Sequence, residues 1–124
     1  MKYHHACITS GLFIFLIIVG TVFSSHYLDE TAYQIINSLE ALPEESALAA
    51  EEVTVIRSYW EERRKILSFT ISETMLDGIS LLFDEILIAV ENADNQEYQK
   101  ATARLRRAVE SMNQLEKISL ENIF

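Results

Sequence analysis

The distribution of apolar and polar residues divides the chain in two. From Ile8 to Phe23 the sequence is uncharged and rich in Ile, Leu and Phe, and beyond it apolar residues recur at helical spacing among many charges. At a rise of about 1.5 Å per residue the run covers roughly 24 Å of a hydrocarbon core about 30 Å thick. Adding Ala6-Cys7 and Ser24-Ser25 brings it into the spanning range, with Tyr3 and Tyr27 near the two interfaces. The pattern predicts a transmembrane anchor over residues 8–25.

The remainder reads as helices. Leu28, Ala32, Ile35, Leu39 and Leu42 form one stripe, and no breaker separates it from the anchor, so a single long helix ending before Pro43 is expected. Pro43-Glu44-Glu45 has the form of a helix start, with proline and acids in the first turn. The next helix carries Ala49, Val53, Ile56, Trp60 and Leu67 on one face; Leu48, Val55, Tyr59 and Ile66 widen it, which implies contacts on two sides. Thr70 with Glu73 forms a candidate capping box for a third helix bearing Leu76, Ile79, Phe83, Ile86 and Val90. Asp94 with Glu97 repeats the signature before Tyr98, Ala101, Leu105, Ala108, Met112 and Leu115. The expected fold is all-α: an N-terminal transmembrane helix continuing into a small antiparallel helical bundle or hairpin stack of three to four helices. The helices are placed at about 26–42, 44–68, 71–92 and 95–117, followed by an apolar tail over 118–124.

Charge sets the orientation. All 19 acidic residues and nine of the ten basic ones lie beyond Ser24, and only Lys2 precedes the anchor. Positive residues stay cytoplasmic, so residues 1–7 form a short cytoplasmic tail and 26–124 an acidic extracytoplasmic domain. A cleaved signal peptide is the alternative, with Val22 and Ser24 at the small-residue positions before a mature start at Ser25. Gly11 and Gly20 lack the small-xxx-small spacing of packed membrane helices. The acidic surface disfavours nucleic acid, and nothing in the sequence sets the oligomeric state.

The lone cysteine, Cys7, lies beside the anchor, and His26 is the only histidine beyond it, so no catalytic, cofactor-binding or metal-ligating set is expected outside the membrane. Two charge stripes stand out. Glu73, Asp77, Asp84 and Glu91 follow one face of the third helix, and Lys100, Arg104 and Arg107 follow one face of the fourth. They are expected to face each other and select the pairing of those helices, a cation site being the competing reading. Arg63-Arg64-Lys65 is the one basic cluster, a solvated face with an i,i+4 Glu61–Lys65 pair or a docking patch. Trp60, on the apolar stripe, is either core or an interaction platform. Ile118, Leu120, Ile123 and Phe124 end the chain on apolar residues. They are expected to dock on the bundle near the turn between the second and third helices, or to meet a partner or the membrane surface.

The apolar start, the acidic helix, Trp60 followed by the basic cluster, and the ending Ser119-Leu120-Glu121-Asn122-Ile123-Phe124 together resemble a family of short proteins of spore-forming Firmicutes, domain of unknown function family 4363. The resemblance implies membrane attachment, a helical outer domain and an accessory-subunit role, and supplies no activity. The resemblance implies that many members carry an Asp-His pair near the start of the third helix. Ser72-Glu73 stands there, so a role tied to that histidine does not carry over. The leading expectation is a non-enzymatic, single-pass accessory protein, held by membrane lipid, whose outer domain binds a membrane or surface protein. An extracytoplasmic ligand sensor acting through a partner is the alternative, favoured by a polar-lined cavity between helices, and a cleaved secreted helical protein is a third.

Overall fold

The computed structural model describes residues 2–123, with side chains from Ile8 to Ile118 and at Glu121 and Asn122. Four helices follow in order: α1 (Lys2–Glu40), α2 (Ala50–Leu67), α3 (Glu73–Glu91) and α4 (Asn95–Ile123), with a short 3-10 turn at Ser46–Leu48. Helix α1 passes without a break from the apolar run into the bundle, and at 39 residues it is about 58 Å long. Each helix lies beside its chain neighbours, and α4 closes the ring against α1. The bundle is therefore up-down-up-down, as short connections require.

The core repeats at three- and four-residue steps. Leu28, Ala32, Ile35 and Leu39 of α1 meet Val53, Ile56 and Trp60 of α2, Leu76, Ile79, Phe83 and Ile86 of α3, and Tyr98, Ala101, Leu105, Val109 and Met112 of α4, all buried. That spacing is the seam of interlocking helices crossing at about 20°. On α4 the buried position is Val109, with Ala108 at its margin and Leu115 exposed, because the seam follows four-residue steps from Ala101 to Val109. Among the described residues nothing covers the second apolar face of α2: Val55 and Ile66 are exposed, as is Leu48 in the turn before it, and only Tyr59 is half-buried.

Three boundaries differ from the local reading. Helix α2 starts at Ala50, six residues after Glu44, because long-range bonds hold the preceding segment out of the α-helix, extended at Glu45 and in a 3-10 turn over Ser46–Leu48. Tyr98 donates its hydroxyl to the Pro43 carbonyl at 2.7 Å, and the Ser46 amide donates to Asn95 Oδ1 at 3.0 Å. The cap of α3 is Ser72, whose Oγ accepts from the Met75 amide at 3.3 Å; Thr70 instead faces α1. Helix α4 continues through Ile123 instead of ending at 117, since no glycine or proline interrupts residues 118–123. Asp94 caps α4 as its sequence implies, accepting from the Glu97 amide at 3.1 Å.

Between α3 and α4 the chain reverses through Ala93, at φ 54°. The Asp94 amide bonds the Ala89 carbonyl at 2.9 Å and the Ala93 amide bonds that of Val90 at 3.1 Å, the paired bonds of a left-handed helix stop. A methyl group in this conformation costs about 1 kcal/mol, which glycine avoids. Ala93→Gly is therefore expected to stabilise the bundle by about that amount and raise its melting temperature by roughly 4–8 °C. Circular dichroism melts check this, and an unchanged or lower midpoint contradicts it.

Candidate functional site

Most polar chemistry in the bundle lies along its seams. On α3, Glu73, Asp77, Ser80 and Asp84 follow one another at steps of four, three and four, a stripe that faces α2. Arg64 bonds Asp77 at 2.6 Å and Glu73 at 3.3 Å, and Arg57 bonds Asp84 at 2.6 Å. The acids expected to meet α4 thus meet the arginines of α2. Helix α3 has a neighbour on each side, and its α4 side is marked by Glu85, which Arg104 reaches at 3.4 Å while also reaching Glu97 at 3.4 Å. Among the described residues Glu91, Lys100 and Arg107 enter no ion pair. Pairs this exposed contribute up to about 1 kcal/mol each; their consequence is which helices lie side by side. Arg64, with its side chain 19% exposed, is the best sheltered of them. Its bond to Asp77 holds its proton more tightly than usual.

Ser80 is the polar centre of that seam. Its Oγ accepts from Trp60 Nε1 at 2.9 Å and from Arg64, and lies 3.4 Å from Glu61 Oε1 as a donor. Trp60 is fully buried, so it belongs to the core and presents no recognition surface. Glu61 is drawn to Ser80, and Lys65 pairs instead with Glu62 at 3.2 Å, which replaces the expected Glu61–Lys65 contact.

The basic cluster does not act as one patch. Arg63 lies across the α1–α2 seam, its guanidinium 4.8 Å from the Tyr27 ring centre and 4.9 Å from that of Tyr59. Such stacking orders the guanidinium and shields both rings. The Tyr59 hydroxyl is enclosed near Thr31 without well-formed hydrogen-bond geometry to any described residue, and burial pushes its pKa up. On the α1–α4 seam, which the sequence did not single out, Asp29 accepts from Asn113 at 3.0 Å and pairs with Lys117 at 3.1 Å. The bond from Asn113, then that from Lys117, holds its carboxyl below the usual range. Arg106 completes that seam by reaching Glu40 at 3.6 Å. These partners sit at unremarkable intervals in the sequence, and only their meeting across the bundle, 84 residues apart for Asp29 and Asn113, marks them.

The anchor region stands apart. Ile8, Leu12, Phe13, Phe15, Leu16 and Val22 are each about three-fifths exposed, and none of its most apolar window is buried. Helix α1 is long and apolar enough to cross a membrane. Where the anchor enters the bundle, Ser24 Oγ and Thr70 Oγ1 share a hydrogen bond of 2.7 Å, which ties the α2–α3 turn to α1. Ile118 projects from helical α4 and is 54% exposed, so it does not dock on the bundle. Leu120, Ile123 and Phe124 have side chains outside the described residues.

A family profile described as a domain of unknown function, DUF4363, matches residues 22–123. The chain belongs to this family. The matched span takes in the whole bundle and leaves out most of the anchor, so the family pattern is that of the four packed helices. No curated protein and no solved structure matches the chain. In this DUF4363 protein the Ser72-Glu73 pair has structural work: Ser72 caps α3 and Glu73 bonds Arg64.

Proposed function

We propose that this is a non-enzymatic, single-pass membrane accessory protein, N-terminus inside, whose acidic outer bundle binds another membrane or surface protein. The observation that carries the reading is the uncovered stripe of α2. Val55 is 64% exposed and Ile66 46% on a helix whose other face already fills the core, and Leu48, in the 3-10 turn just before that helix, is 64% exposed. Apolar side chains aligned this way on a strongly acidic domain favour a covering partner. The anchor would hold the bundle at the bilayer, and Lys2, the only basic side chain before the run, favours the inward N-terminus.

A photoactivatable residue in place of Val55, illuminated in intact membranes of the native host, is expected to give a discrete adduct with a second protein. The same residue in place of Glu91, on α3 away from the stripe, is expected to give none. Recovery of an uncrosslinked, isolated monomer with the probe at Val55 would count against the proposal.

A further inference from the structure

We propose that the α2–α3 turn is a second membrane contact, a wedge tipped by Phe69 that enters the interfacial layer of the bilayer α1 crosses. The inference rests on reading α1 as a spanning helix and adds where the bundle meets the lipid.

Phe69 is 87% exposed, more than any other large hydrophobic side chain among the described residues. Its backbone is already satisfied, the amide bonding the Ile66 carbonyl at 3.2 Å, so the turn itself does not call for an aromatic at its tip. Height along α1 supplies the reason. The Ser24–Thr70 bond sets the turn level with the polar end of the apolar run. From there the turn reaches down: Ile66, Leu67 and Phe69 wall one side of an open groove of about 570 Å³, Leu16, Ile17, Gly20 and Phe23 wall the other, and Thr21, Ser24, Tyr27, Thr70 and Glu116 give it a polar edge. Gly20 and Ile17 lie about 6 and 10 Å further along the helix axis from Ser24 toward the N-terminus. A bilayer that covers the apolar run therefore covers the groove and Phe69 as well.

The connections differ in charge. Ile66 to Ser72 carries no charged side chain, whereas the connections at the far end contain Glu44, Glu45 and Asp94. The charged groups at the anchor end, Glu116 at the groove and Lys117 beside Asp29, lie on α4, so it is the charge-free α2–α3 turn that suits the interface. Among the described residues nothing lies within 4 Å of a Cβ added at Gly20, so the groove is open at that point. Acyl chains of the same bilayer are the occupant this geometry accepts.

The test uses the full chain with Cys7→Ser and one new cysteine at a time, Leu16→Cys, Leu48→Cys or Phe69→Cys, each carrying a nitroxide in phosphatidylcholine vesicles. Accessibility to oxygen against an aqueous nickel chelate reads depth, and emission from Trp60 verifies the fold of each variant. Oxygen is expected to win at positions 16 and 69 and the chelate at 48. Oxygen winning at 16 while the chelate wins at 69 overturns the wedge and leaves the anchor intact. A label at 69 shielded from both reagents also overturns it, because protein then covers the turn. If the chelate wins at 16 as well, the spanning reading fails and the wedge with it.

Discussion

Trp60→Ala is expected to cost the bundle about 3–5 kcal/mol, the range for truncating a buried large aromatic. The side chain is fully buried at the centre of α2, and its loss opens a cavity that Val53, Ile56, Phe83 and the other core residues can only partly close. It also removes the Nε1 donor from Ser80, so Ser80, Arg64 and Glu61 must rearrange at the same place. For a bundle of this size each kcal/mol moves the melting midpoint by roughly 4–8 °C, so a fall of at least about 12 °C is expected in far-ultraviolet circular dichroism. Trp60→Phe keeps most of the volume and isolates the hydrogen bond, with an expected cost of about 1–2 kcal/mol. A fall of only a degree or two for Trp60→Ala would mean that the indole is not a core element and would reopen the recognition-platform reading.

The anchor gives the other large effect. Ile14→Arg combined with Ile17→Arg is expected to move the protein out of the membrane fraction. Each arginine near the middle of a spanning helix costs about 2.5–3.5 kcal/mol by insertion scales, so the pair disfavours the inserted state by a factor of roughly ten thousand. Both native side chains are more than half exposed and contribute nothing to the bundle core. The melting transition of the outer domain should therefore change little while partitioning changes greatly. Alkaline carbonate extraction measures the second: the wild type is expected in the membrane pellet and the double variant in the supernatant. A wild type that is itself extracted by carbonate would refute the spanning helix. A double variant that stays in the pellet would show that other contacts hold the protein there.

These two experiments act on features of different visibility. The apolar run was legible because its signal is one of length and composition, needing no partner. The core stripes were legible for a related reason: a helix has one period, so Leu28, Ala32, Ile35 and Leu39 share a face whatever packs against them. Trp60 fell on such a stripe and is buried, although the same residue taken alone also suits a binding surface. The cap at Asp94 was readable because it satisfies amides within three residues of itself.

Partner identity was not readable. The acids of α3 mark one side of that helix, but whether α2 or α4 lies there depends on the handedness of the bundle, which no single helix encodes. The structure places the arginines of α2 on that side. The start of α2 was misplaced for a similar reason. Proline and two glutamates are a sound local start, yet bonds from Tyr98 and Asn95 to residues about fifty positions away hold the segment in a bend and a 3-10 turn. Leu48, Val55 and Ile66 are visible in the sequence as a second apolar face, and only packing reveals that no described residue covers them.

The sequence by itself determined an apolar helix at the N-terminus, an all-helical domain after it and the faces that form the core, because these depend on spacing within one helix. Tertiary structure alone decided which charges meet, where α2 begins and how low the α2–α3 turn reaches beside the anchor. Those depend on distances between residues far apart in sequence, which exist only after the four helices have packed.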